Sequence, residues 1–403
     1  MPHSHLIALR RIPRGVWALG FVSMLMDLSS ELIHSLLPLY MAIGLGASTL
    51  TIGIVEGIAE ATAMIVKFFS GVLSDYFGKR KPLVVLGYGL AGLTKFVFPL
   101  APTLGWIVAA RFADRVGKGI RGAPRDALIA DLTPEDLRGG SFGLRQALDT
   151  VGAIGGPLLA VGAMAWFASD FKAAFWVAVV PAVLCVLVLL FGVQEPAAPA
   201  AGAAGGPRGF QLADVRRLGR RYALIVGIAT VLTFARFSEA FLILRAQNVG
   251  LSAAMAPWVM VVMSIVYAGV AYPAGAAADR GLGPRMISAG LAALIVADLL
   301  LATANAAPAV FVGAALWGLH MGLTQGLLAA LVAAAAPADL RGTAFGVFNL
   351  VCGVALLVAS VLAGWLWDTF GPSLTFYAGA AFTLIAWMGL LRHGGGATEL
   401  RRA

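Results

Sequence analysis

Twelve apolar stretches of about 20 residues divide the chain, and that is the length a helix needs to cross a bilayer. They lie near residues 16–43, 50–73, 82–101, 105–131, 141–165, 173–193, 221–245, 255–277, 285–304, 308–335, 343–366 and 373–391. Inside lipid every backbone N–H and C=O must find its partner within the protein, so such stretches are helices. A membrane β-barrel would show alternating strands of about ten residues instead. Composition agrees: 60% of the 403 residues are hydrophobic and 12% are charged, where a soluble domain carries about a quarter. The expected fold class is an all-α membrane protein of 12 transmembrane helices in two six-helix bundles.

The net charge of +9 would suit nucleic acid only if it were gathered on one surface. It follows the loops instead. Nineteen lysines and arginines fall on the termini and the even-numbered loops, among them Lys79, Arg80, Lys81, Arg280 and Arg285, while only Lys172 and Arg245 lie near the odd loops. The positive-inside rule then places both termini in the cytoplasm of a multi-pass inner-membrane protein, and no nucleic-acid partner is expected. Cys185 and Cys352 stand alone in apolar helices without CxxC spacing, which argues against a disulfide or a cysteine metal site. No GxxxxGK[ST] phosphate loop and no nucleophile elbow occurs, so an enzyme is not expected.

One segment breaks the hydrophobic rhythm: 196–220 is rich in Pro, Gly and Ala, then basic, as a cytoplasmic linker between domains would be. It separates an N-terminal six-helix bundle, 1–195, from a C-terminal one, 221–403. The halves are related. PEDLRGGSFG at 134–143 matches PADLRGTAFG at 337–346 in seven of ten positions, and GVLSDYFGKRK at 71–81 has a degraded counterpart, GAAADRGLGPR, at 275–285. The two matches share nearly one spacing, so the architecture is a tandem duplication, six plus six.

GVLSDYFGKRK resembles the loop signature of the major facilitator superfamily, with Gly71, Asp75, Gly78, Lys79 and Arg80 in its positions and Lys79 where Arg is usual. Arg111 occupies the family's helix-four arginine position, although Asp114 and Arg115 replace the usual Gln and Gly. GAIGGPLLA at 152–160 resembles the fifth-helix antiporter motif through Gly152, Gly156 and Pro157, with Ala160 where Gly is typical. The resemblance covers the whole chain. It implies alternating access by a functional monomer, with Asp75 latching onto the start of the eleventh helix near Gly342, and among its members the closest in look are proton-coupled exporters. The glycines by themselves permit close backbone approach.

The polar residues inside the helices carry the functional question, because each ionised group at such depth costs about 2.5–3.5 kcal/mol on the lenient scale. At about 100° per residue, Asp27, Glu31 and His34 fall on one face of the first helix, and Arg111, Arg115, Lys118 and Arg125 form one stripe on the fourth. The stripe either binds an anionic substrate or is neutralised inside the protein. Asp27, Glu31, Glu60 and Asp149 are candidate proton-coupling groups, since carboxylates in a low-dielectric site hold protons near neutrality; the competing reading makes them partners of the basic stripe. His34, Arg111, Asp114, Arg115, Lys118, Arg145, Arg236, Glu239, His320, Gln325 and Asn349 are candidates for the substrate cavity.

The expectation is a secondary active transporter, a proton-coupled exporter (antiporter) of a small molecule that uses the proton gradient and no cofactor. Uptake or exchange of an organic anion is the alternative. Export of a divalent metal cation, for which Asp27, Glu31 and His34 are suitable ligand types, is a third reading. No metal site is assigned with conviction: one helix face supplies few ligands, and histidines in the tails are sparse (His3, His5 and His393).

Overall fold

The computed structural model describes residues 11–77, 79–195, 212–337 and 340–392. It is helical throughout these residues. The long elements are α1 (Arg14–Leu39), α2 (Thr49–Phe77), α3 (Lys81–Leu100), α4 (Leu104–Leu132), α5 (Arg138–Trp166), α6 (Phe171–Gly192), α7 (Gly219–Ala235), α8 (Ala240–Asn248), α9 (Trp258–Ala277), α10 (Gly283–Thr303), α11 (Ala307–Ala335), α12 (Arg341–Phe370) and α13 (Pro372–Arg392). With α7 and α8 forming one interrupted span, these are the twelve expected from the hydropathy. Eleven of the spans are long and apolar enough to cross a membrane; α4, with its row of charges, is the other. Proline opens α3, α10 and α11 in their first turn, where its missing N–H costs nothing. Asp170 caps α6 by accepting from the N–H groups of Lys172 and Ala173.

The seventh span departs from the continuous helix read over 221–245. It stops at Ala235 and restarts at Ala240, with neither Pro nor Gly between them to announce the break. Polar side chains satisfy the freed backbone. The Ser238 N–H donates to Ser360 Oγ at 3.2 Å, and the Ala240 N–H to Ser238 Oγ at 3.2 Å.

The chain divides into two compact units. The first holds α1 as far as Leu36 and everything from Thr62 through α6; the second holds Leu37–Ala61 and all helices from α7 on. The core of the first joins Val16, Leu19, Val22 and Met26 of α1 to Val84 and Tyr88 of α3, Leu128 and Ile129 of α4 and Cys185 and Leu189 of α6. A core cluster of the second gathers Tyr222, Val226, Val332 and Ala344, with the Tyr222 hydroxyl donating to the Ala344 carbonyl at 2.7 Å.

Within the second unit the start of α2 is stitched to α12. Asp368 accepts from the N–H groups of Thr49 (3.1 Å) and Leu50 (2.8 Å), two of the orphan donors at a helix N-terminus. Gly53, Gly57 and Gly364 leave the two backbones in direct contact: a methyl group on Gly53 would lie 2.2 Å from the Ser360 carbonyl oxygen, and one on Gly364 2.6 Å from that of Thr49.

Candidate functional site: a buried charge cluster in the first unit

The fourth helix supplies the centre. Arg111 and Arg115 of the basic stripe and Asp114 beside it are all buried, while Lys118 and Arg125 of the same stripe are half-buried. Asp114 is the hub. Its Oδ1 accepts from Lys95 Nζ of α3 at 2.7 Å, and its Oδ2 from Arg115 Nη2 at 2.7 Å and Nε at 3.0 Å, with Arg111 Nη1 at 4.0 Å. Lys95 reaches onward to Ser30 Oγ of α1 at 3.0 Å. One carboxylate is thus shared among three cations in a site closed to water, where charge-assisted bonds are at their strongest.

A second layer lies further along α4. The Arg121 guanidinium sits 4.7 Å over the Tyr88 ring, a cation–π placement, and its Nη1 has no hydrogen-bond partner. Tyr88 and Ser23 hydroxyls are 3.0 Å apart, and Arg125 Nη1 donates to Ser23 Oγ at 2.9 Å. Arg125 also pairs with Asp126 at 3.0 Å and approaches Asp149 at 4.0 Å. Arg145 pairs with Asp149 one turn on, so Asp149 lies between two arginines.

On α1, Glu31 Oε2 and His34 Nδ1 stand 3.3 Å apart. Asp27 is different: among the described residues it makes no hydrogen bond or ion pair, and the charges around it are Asp149, Arg121, Lys118 and Glu31. Lys118, half-buried, likewise forms no ion pair among them. The α5 glycines meet this acidic face directly. A methyl on Gly152 would lie 2.8 Å from Asp27 Cβ and 2.7 Å from the Met24 carbonyl oxygen; one on Gly156 would lie 2.5 Å from Glu31 Cβ. Two features far apart in the sequence, the α5 glycines and the acids of α1, are therefore one seam. Pro157 follows within α5.

The remaining candidates are distributed elsewhere. Glu60 belongs to the Leu37–Ala61 segment of the second unit. Arg236 and Glu239 flank the break between α7 and α8, and interrupted membrane helices are where transporters place ion and substrate groups. His320 is fully buried, with Nδ1 2.9 Å from the Gly290 carbonyl and Nε2 unpartnered. Asn349 is half-buried on α12, and Gln325 lines a cavity of about 1150 Å³ between α9 and α11. In the first copy of the duplicated loop, Gly71 packs near Ala123 of α4 and Lys79 is exposed. Arg80 pairs with Asp131 at 2.5 Å and Ser74 at 3.2 Å, while Glu195 accepts from the Arg80 and Lys81 N–H groups at 2.7 and 2.8 Å. The Asp75 side chain and Gly78, and with them the proposed latch, lie outside the described residues, as do His3, His5 and His393.

Lys95, Ser30, Ser23 and Tyr88 complete the cluster; none of them is among the site candidates named from the sequence, although Ser23 and Ser30 share the polar face of the first helix with Asp27 and Glu31. Lys95 had a signal: it is the one charge deep in an otherwise apolar stretch. Among the described residues no three His, Cys, Asp or Glu side chains converge as a metal site.

The family model of the Major Facilitator Superfamily matches residues 19–245 and again 222–397. The chain belongs to the major facilitator superfamily. This member is similar to an uncharacterized MFS-type transporter of Methanocaldococcus jannaschii, with 32% identity over 390 residues and 95% of each chain covered. It is similar over a shorter stretch, 142 residues at 27% identity, to the quinolone resistance protein NorA of Staphylococcus aureus, covering 35% of this chain and 36% of that one. In fold it resembles a bacterial homologue of the human lysosomal transporter Spinster, with a TM-score of 0.74, 15% identity, and 96% and 97% of the two chains covered. The superfamily fold, with its charge cluster inside the first unit, is that of a transporter.

Proposed function

We propose that this protein is a proton-coupled exporter of a small molecule in the cytoplasmic membrane, with both termini in the cytoplasm. The observation that carries the reading is Asp27. Asp114 pairs with Lys95 and Arg115, and Asp149 lies between Arg125 and Arg145; Asp27, beside Asp149, makes no ion pair or hydrogen bond among the described residues. A carboxyl at membrane depth that no ion pair or hydrogen bond holds is the group most easily converted between its charged and neutral forms. It sits on the α5 seam, so a change at Asp27 acts where two backbones touch. Alternating access then links release of a proton on one side to movement of substrate to the other. The likeness to a quinolone resistance protein supports export of a drug-like molecule, and the duplicated halves suit such a mechanism better than a channel.

The test is proton movement in proteoliposomes driven by candidate toxic compounds. Asp27→Asn is expected to bind substrate and to lose coupled proton movement; full coupling in this variant rejects the assignment. A second reading, exchange of an organic anion, draws on the surplus of cations at Asp114 and on half-buried Lys118. There, Lys118→Gln is expected to weaken binding of an anionic substrate, and unchanged affinity rejects that alternative.

A further inference from the structure

The two copies of the duplicated loop do different things with their basic residues. In the first, Arg80 is consumed by Asp131 and Ser74, and Glu195 caps the adjoining backbone. In the second, the chain leaves α9 through a π turn at Ala278–Leu282, reverses at Gly281 with φ +82°, and enters α10. Arg280 and Arg285 lie on either side of that reversal. Both are exposed, and among the described residues neither has a hydrogen-bond or ion-pair partner.

These two arginines stand at one end of the 1150 Å³ cavity. The cavity runs from Ala278 of the π turn back along α9 to Tyr267, and along α11 from Ala330 back to Met321. At 1.5 Å per residue that is a cleft about 14–16 Å long. Ala271 and Gly275 on one helix and Gly322 and Gly326 on the other keep it open, with Leu282, Met321 and Leu327 also at its walls. Two polar groups, Tyr267 and Gln325, interrupt them. A cleft with small side chains along its two helices and, at its mouth, a pair of guanidinium groups unpaired among the described residues has a head and a tail.

We propose that this cleft binds a phosphate-bearing amphiphile, its phosphate on Arg280 and Arg285 and its alkyl chain between α9 and α11. Arginine forks match phosphate oxygens bidentately, and small side chains leave room for a chain where larger ones would fill the cleft. The same chemistry is offered by an anionic phospholipid of the surrounding leaflet and by a soluble alkyl phosphate. The inference is independent of the direction of transport and of Asp27.

The experiment uses the full chain, purified in a neutral detergent, with native mass spectrometry and thermal unfolding as readouts. Phosphatidylglycerol, phosphatidylcholine and decyl phosphate are the probes. Phosphatidylglycerol or decyl phosphate is expected to stay bound and to raise the unfolding temperature. The double variant Arg280→Gln/Arg285→Gln should weaken that binding by about tenfold or more. Gly275→Leu is the second variant; a side chain there meets nothing within 4 Å of its Cβ, so it fills the cleft without disturbing the fold. It is expected to expel the ligand while both arginines remain. Preference for phosphatidylglycerol in a bilayer disc assigns the site to lipid, and preference for decyl phosphate to a soluble ligand; either supports the proposal. Equal binding of phosphatidylcholine, or anion binding untouched by both variants, overturns it.

Discussion

Lys95 and Asp114 meet at 2.7 Å with each side chain only 1% exposed. Nothing but protein surrounds them, so the pair is held by geometry, and its energetics are those of a charge that must not be left alone. Removing one partner of a buried pair costs about 3–5 kcal/mol. Asp114→Asn strips the counter-ion from Lys95, Arg115 and Arg111 at once and is expected to incur that loss. Lys95→Met leaves Asp114 still bonded to Arg115 and is expected to cost clearly less. Unfolding of the detergent-solubilised variants measures both, and equal losses would show that Asp114 is not the hub.

The glycine seam predicts a sharp contrast within one helix. Gly156→Ala places a methyl 2.5 Å from Glu31 Cβ and 2.9 Å from the Leu32 nitrogen, whereas Gly162→Ala meets nothing within 4 Å. The first is expected to destabilise by about 1–3 kcal/mol through overpacking. The second should be neutral or slightly stabilising, because alanine is the better helix former. Thermal unfolding side by side decides the point.

Asp298 of α10 is fully buried, and neither carboxyl oxygen has a hydrogen-bond partner. Asp298→Asn keeps the shape and removes the possibility of charge. Its stability is expected to equal or exceed that of the parent at neutral pH, since a buried carboxylate without a partner costs more than a neutral amide of the same shape. A loss of several kcal/mol would reveal a counter-ion.

Asp368 caps the first turn of α2 from a distance of more than 300 residues in the chain. Asp368→Ala is expected to cost about 0.5–1 kcal/mol, the low side for a helix cap at an exposed position. The sharper readout is local. Hydrogen exchange at the Thr49 and Leu50 amides should accelerate while exchange deep in α3 stays as it was.

The sequence made the helices legible because lipid leaves few options: an apolar run of sufficient length is a helix, and its ends are marked by charge, Pro and Gly. That Arg111, Arg115, Lys118 and Arg125 share one face of α4 followed from spacing alone, since residues four and seven apart share a face. What spacing cannot supply is the partner. Whether Asp114 meets Lys95 of α3 or Asp27 of α1 meets Arg115 depends on the rotation and depth of neighbouring helices, and these are set by packing such as that of Tyr88 and Cys185 in the core. The break before Ala240 was hidden for a related reason. Its stability comes from Ser360, a hydroxyl more than 100 residues away, rather than from a local helix breaker. The glycines of α5 announced that some backbone approaches closely; only the fold says that it belongs to Met24–Leu32.

That seam has a consequence for how this chain can vary. Every single-base change in a glycine codon that alters the residue adds at least a Cβ, and at Gly152, Gly155 and Gly156 the nearest atoms already stand 2.5–2.7 Å from where it would be. No one-step mutation at these three codons keeps the fit unchanged. Change there has to begin on the opposite strand of the zipper, with a smaller residue at Leu28 or a shifted first helix. The helix bearing Asp27 therefore sets what its neighbour on the seam can become.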